Sequence, residues 1–355
     1  MPFLLILFTL FFCWLFCGRY GVFGSKVDWI SQHSVFPDYF RQQFYDTGDF
    51  FPEFAAGIGG GQNIYNFAYY GLYSPVFLLS YLLPFVKMSD YLIAASFTCL
   101  ASAVVLLYFW LIKRGFSQTV SFLTALLFLL SAPMIFQSYN QIMFVNYMPF
   151  LCMALWGVDS FLEKGKPLLY LSGVFLMIMT SFYFSIGGIL VLILYGLHRY
   201  FMLQDSLGKK IRFLDFLRDG IRFLGPILTV LIAGLAWKRR GERILIWSTI
   251  LILTIPFFSY LLNGGLYIRD KVLIPFLPVL CYLIACYMQK QQEEARPLWR
   301  GLLPYILTII LIFTGNTESM PSFSRFLLAL DVVIMAGCYL LFYELTRFGI
   351  RTNRK

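Results

Sequence analysis

Residues able to carry chemistry are sparse in this chain, and they cluster. Asp28 is followed one helical turn later by Gln32 and His33 in the string DWISQH. A carboxylate held near groups that tune it can take a proton from a hydroxyl. The same carboxylate is equally suited to cap the next helix as a solvated loop acid. Far along the chain, LYIRDK places Arg269, Asp270 and Lys271 at the end of an apolar run. Two cations at a water–lipid boundary can hold a phosphate, with arginine as a bidentate donor. They can also serve as snorkelling anchors. Asp331 stands inside an apolar run, where a charge is costly and usually faces the protein interior. His198, beside Arg199 at the end of another run, reads as structural. No His, Cys, Asp and Glu cluster has metal-ligand spacing, so no metal and no metal-ligating residue is assigned.

The stretch that must position Asp28 runs on to Pro75 and is the one long polar interruption in the chain. It holds five of the 18 acids (Asp28, Asp38, Asp46, Asp49, Glu53), one of the two histidines (His33) and many aromatic residues. Within it, Val35, Phe36, Tyr39, Phe40 and Phe44 recur at helical spacing, with Asp38, Arg41 and Gln42 opposite. Pro37 suits a first helical turn and Gly48 a stop, so the spacing predicts a helix over 35–45 lying in the membrane interface. GIGGGQN (57–63) reads as a flexible turn. It lacks the Lys-Ser/Thr ending and the preceding strand of a phosphate loop. AYYGLYSP (68–75) returns the chain to the membrane, with Tyr69 and Tyr70 suited to the headgroup level.

Composition bounds the class. Of the 355 residues, 59% are hydrophobic and 13% charged, and mean hydropathy is +0.74. A soluble domain has about 25% charged residues, so this is an all-α, multi-spanning membrane protein. The net charge of +10 invites a nucleic-acid reading. The basic residues, however, lie in short segments between apolar runs, as the positive-inside rule expects of cytoplasmic loops, and no nucleic-acid partner is expected. The seven cysteines fall mostly within apolar runs and read as small buried hydrophobes.

Residues 2–17 read as a first span rather than a cleaved signal peptide. The piece 76–86, between Pro75 and Pro84, is too short to cross and reads as re-entrant or interfacial. Spans are predicted at 90–112, 118–137, 145–162, 168–184, 186–203, 244–263, 271–289, 301–315 and 325–345. A basic amphipathic linker over 204–222 lies on the cytoplasmic surface, and the run 223–237 does not cross. About ten spans of the usual length then form a single transmembrane domain over 1–355 with both termini cytoplasmic. This arrangement leaves seven of the 28 Lys and Arg outside (Arg19, Lys26, Arg41, Lys87, Arg269, Lys271, Arg325) and 21 inside. The loop 18–75 falls outside, and QSYNQIMF (137–144) and SFYFSIGG (181–188) become outer loops able to line a cavity with it.

The strings D-x-x-x-Q-H, DTGDFFPEFAAGIGGGQN and AYYGLYSP resemble the bacterial YfhO-type membrane protein family. So do QSYNQIMFVNYMPFLCMALWGVDSFLEKGK and FSYLLNGGLYIRDKVLIPFLP. The resemblance covers most of the chain; members are commonly longer, so the chain reads as a short or truncated form. It implies a GT-C-like fold and a bacterial plasma-membrane glycosyltransferase with its site on the extracytoplasmic side. A polyprenyl-phosphate sugar would be the donor substrate, with no separate cofactor, and the acceptor an envelope polymer such as a teichoic-type polymer. By position, Asp28 resembles the family's first-loop acid, and Arg269 the basic residue after its N-G turn. The expected site is Asp28 as catalytic base, with Gln32, His33, Tyr69, Tyr70, Arg269 and Lys271 binding substrate. Two other classes remain: a transporter or flippase of a lipid-linked substrate, and an inactive structural protein.

Overall fold

Backbone groups that cannot reach water must bond to one another, and the described residues satisfy them almost entirely with helices. The computed structural model describes residues 1–20, 24–25, 28–140, 142–206, 241–265 and 270–294, with isolated helical positions between 302 and 343. The chain forms two compact units, Met1–Leu283 and Ile284–Lys355. In the second, the described residues are helical and expose apolar side chains such as Ile306, Val333 and Leu341.

Helix α1 (Pro2–Tyr20) buries a narrow stripe of Leu5, Thr9 and Cys13 and exposes Phe3, Leu7, Phe11 and Trp14. That is the pattern of a helix with one face on protein and the rest on lipid. It packs on α4 (Met88–Lys113), whose buried residues Leu92, Ser96, Cys99, Ala103, Leu107 and Trp110 recur every three or four positions. At 26 residues, α4 is about 39 Å long, enough to cross a hydrocarbon core of roughly 30 Å. Helices α7 (Ile142–Lys164) and α8 (Leu168–Thr180) form a close pair because each offers the other a glycine. A Cβ on Gly157 would lie 2.5 Å from the Tyr170 backbone, and one on Gly173 would lie 2.7 Å from that of Ala154. Small residues that admit a neighbouring backbone are the usual device for joining helices in lipid.

Several expected spans are interrupted. The run 118–137 divides into α5 (Gln118–Leu130) and α6 (Ala132–Asn140), bent by 48°. Ser131 is extended and its hydroxyl donates to the Phe128 carbonyl, ending α5 just before Pro133. The run 168–184 stops at Thr180. Ser181 is extended, and α9 (Phe182–Ser206) begins immediately after it. The run 244–263 divides into α10 (Gly241–Thr254) and α11 (Pro256–Leu262) at Ile255, which precedes a proline and is extended. Residues 271–289 begin as a 3-10 stretch, Asp270–Phe276, before α12 (Leu277–Glu294). Among the described residues, α4 and Phe182–Leu203 are long and apolar enough to cross a membrane, and the bent α5–α6 pair is a third candidate. The linker 204–222 beyond Ser206, the run 223–237, Asp331 and the span expected at 301–315, apart from two isolated positions, lie outside the described residues.

The first loop is ordered around the predicted interfacial helix, which is α2 (Val35–Thr47). Gly48 ends it at φ 75°, its amide bonded to the Phe44 carbonyl. Two side chains depart from the expected amphipathic pattern: Arg41 is buried, and Val35 is exposed. Arg41 turns inward because its Nη1 donates to the Val86 carbonyl at 2.9 Å. Beyond α2, Phe54–Ala55 (β1) pairs antiparallel with Gln62–Asn63 (β2). The connecting glycine turn has Gly59, Gly60 and Gly61 all at positive φ, a conformation only glycine adopts readily. A 3-10 stretch, Ile64–Tyr70, leads to α3 (Pro75–Leu79) and a further 3-10 turn, Ser80–Leu82, so the piece 76–86 is indeed too short to span. Phe40, Ala55, Ile64, Phe67 and Leu72 form the small core of this loop.

Candidate functional site

Asp28 is placed by Trp29. The indole is buried with Phe77, Met88 and Leu92 at the start of α4. Gly24, at φ 109°, passes so close that a Cβ there would meet the indole at 2.4 Å. The Ser25 amide donates to the Tyr139 carbonyl of α6, and the Asp28 amide points to the Ser25 hydroxyl. Trp29–His33 then winds as a π-helical turn, closed by Ser34 N–H to the Trp29 carbonyl at 2.9 Å. Such wide turns recur at functional sites. Asp28 stands at the N-cap of this turn, but its side chain makes no capping hydrogen bond, so the capping role is not the one it fills. Gln32 is half-buried and His33 is buried.

The aromatic residues of the loop make a continuous column from there. His33 meets Tyr70 edge-on with ring centroids 5.7 Å apart, and Phe36 of α2 lies 4.7 Å from the same ring. Tyr70 meets Tyr69 at 5.3 Å, and Tyr69 meets Tyr183 at 5.4 Å. The Tyr183 hydroxyl donates to the Asn263 side-chain oxygen. Asn263 ends α11 and opens the turn Asn263-Gly264-Gly265, whose glycines have φ 69° and 74°. The Tyr70 hydroxyl is held above its ordinary pKa, first by burial, then by Tyr69 and the charge of Asp28. Tyr70 therefore remains a neutral donor at physiological pH, within the field of the carboxylate.

Of the expected site residues, Asp28, His33, Tyr69 and Tyr70 come together at one end of the first unit, and Gln32 sits on the same π-helical turn. Arg269 and the side chain of Lys271 lie outside the described residues. The backbone at Lys271 is helical, and the 3-10 stretch it belongs to packs against α9 where a Cβ on Gly187 would be 2.9 Å from the Val272 carbonyl. The segments 137–144 and 181–188, expected as loops, are largely helical ends in α6–α7 and α9. The sequence reading did not single out Tyr183 and Asn263 individually. Their signal was a tyrosine at the break between two apolar runs and an asparagine opening a double-glycine turn.

A second polar cluster was not assembled by the sequence reading, which noted only His198 beside Arg199 as a structural run end. At the C-terminal end of α4, opposite the end that holds Trp29, Asp159 of α7 accepts from Trp110 Nε1 and Tyr195 hydroxyl, both at 2.8 Å. Its other oxygen lies 2.5 Å from Arg199 Nε and 3.7 Å from Arg114 Nη1. Glu163, one helical turn on, also pairs with both arginines. His198 and the Tyr282 hydroxyl are 3.0 Å apart beside them. The signal was Asp159 and Glu163 at i, i+4 in VDSFLEK, with arginines closing two other apolar runs.

A protein-family model described as bacterial membrane protein YfhO matches residues 1–236. No curated protein and no solved structure matches the chain.

Proposed function

The chain belongs to the YfhO family of bacterial membrane proteins, and from that premise we propose that it is a GT-C-like membrane glycosyltransferase with about ten spans and both termini cytoplasmic. It moves a sugar from a polyprenyl phosphate to an envelope acceptor on the extracytoplasmic side. The observation that carries this reading is the column from Asp28 through Tyr70, Tyr69 and Tyr183 to Asn263. It joins the candidate base to the turn that leads into Arg269 and Lys271. In the reaction, an acceptor oxygen attacks the anomeric carbon while the Asp28 carboxylate takes the hydroxyl proton. The bond from that carbon to the phosphate oxygen breaks, and the electron pair leaves with the phosphate. Arg269 and Lys271 offset its charge. Tyr70 donates to the sugar, and the rings of Tyr69 and Tyr183 cover its apolar face.

The test is sugar transfer by the full chain in vesicles containing a polyprenyl-phosphate sugar. Asp28→Asn is nearly isosteric and should lose about 10²–10⁴-fold in rate while still binding the donor. Asp38→Asn should keep full rate, because Asp38 is half-exposed on α2. Equal losses from both would remove Asp28 as the base. Movement of the lipid-linked sugar across the bilayer without transfer would favour the flippase reading.

A further inference from the structure

Between α3 and α4 the chain turns back through Leu79–Phe85, and its surface is the reverse of what water selects. Leu79, Leu82 and Phe85 are 58%, 71% and 91% exposed, and Leu83 is exposed as well. Exposed apolar side chains in one short turn call for a cover. The backbone indicates which kind. Neither the α3 helix nor the 3-10 turn is long enough to satisfy its own carbonyls, yet several are satisfied by side chains. Tyr91 hydroxyl donates to the Val76 carbonyl at 2.5 Å, and Ser80 hydroxyl to that of Phe77 at 2.6 Å. Tyr45 hydroxyl donates to the Tyr81 carbonyl at 3.0 Å, and Arg41 Nη1 to that of Val86 at 2.9 Å. Val76, Phe77 and Tyr81 are themselves buried, so these bonds tie the turn to α2 and α4. Its apolar side chains are held outward directly before the span α4, at the depth where acyl chains are the available cover. Met88, the first residue of the span α4, follows three residues after Phe85, with Lys87 exposed between them at a position suited to the headgroups.

We propose that this turn is a lipid-inserted wedge. Bilayer acyl chains on the side of the candidate site cover Leu79, Leu82, Leu83 and Phe85. Arg41 and Tyr45 belong to α2, so the wedge also sets the height of that helix above the membrane. Phe36 on the same helix packs on Tyr70, which carries the setting to the candidate site. The wedge does not depend on the site transferring sugar.

Photocrosslinking tests it in the full chain, reconstituted in vesicles of phosphatidylglycerol and phosphatidylethanolamine. With p-benzoylphenylalanine replacing Phe85, irradiation should yield lipid adducts by mass spectrometry. The same probe at Asp49, exposed beyond α2, should yield none. Adducts to a second copy or another protein at position 85, or no adduct there, would overturn the wedge. The double variant Leu82→Glu, Phe85→Glu alters only exposed side chains, so folding should survive. Amide exchange over 35–47 and 64–70 should then accelerate. Unchanged exchange would break the link between the wedge and α2.

Discussion

At the residue scale, the two polar ends of the first unit are built on opposite principles. Around Asp28 the neighbouring groups are aromatic, and its charge acts on the neutral Tyr70 hydroxyl. Around Asp159 both oxygens are engaged by groups from four other positions, and two carboxylates balance two guanidiniums. The second cluster is therefore a clamp joining α4, α7 and α9. Removing one partner of a buried ion pair leaves the others uncompensated, at about 3–5 kcal/mol. Asp159→Asn should lower thermal stability in detergent by roughly that amount, and Tyr195→Phe by about 1 kcal/mol, the net worth of one hydrogen bond. Equal melting of Asp159→Asn and the parent would show that the clamp does not hold the helices. Tyr183→Phe keeps the ring contact with Tyr69 but loses the donation to Asn263. Donor affinity should fall with the turnover of bound donor nearly unchanged, read as a KM rather than a kcat effect. Asp28, His33 and the paired tyrosines were legible because their spacing is local. Asp159 was not, because its partners come from other helices.

At the element scale, what the helices share decides more than their individual hydropathy. The α7–α8 pair depends on two glycines facing backbone, so Gly173→Ala, favourable for an isolated helix, should destabilise this one. The added methyl meets the Ala154 backbone at 2.7 Å, and overpacking of this kind costs about 1–3 kcal/mol. Leu171→Ala, on the exposed side of α8, should leave the melting temperature close to the parent's. Comparable losses from both would show that the close approach carries no stability. The helix predicted over 35–45 is two residues shorter than α2, with its glycine stop in the right place. Its polar face was misjudged at Arg41 because helical periodicity cannot reveal a carbonyl acceptor 45 residues away.

For the whole molecule, the proposed sidedness assigns one polar end to each face of the membrane. Under that proposal the Asp28 column would lie at the extracytoplasmic face and the Asp159 clamp at the cytoplasmic one. Thr47 and Lys166 are both exposed, the first after α2 and the second between α7 and α8. A cysteine at Thr47 should react with a membrane-impermeant thiol reagent in intact cells stripped of outer wall, and a cysteine at Lys166 only after lysis. The reverse pattern would invert the topology and place Asp28 in the cytoplasm.

The sequence by itself determined the class, the family, the helix after residue 34 with its Gly48 stop and the stretch that holds the candidate base. Each of these rests on hydropathy, on a 3.6-residue period or on a contiguous string, which are properties of neighbouring residues. The tertiary structure decided the breaks at Ser131 and Ser181, the inward turn of Arg41, the column reaching Asn263 and the clamp on Asp159. Those depend on pairs such as Trp110 with Asp159 and Tyr183 with Asn263, 49 and 80 residues apart. In an apolar chain most side chains suit either lipid or protein equally well. Packing, not composition, selects which polar groups meet.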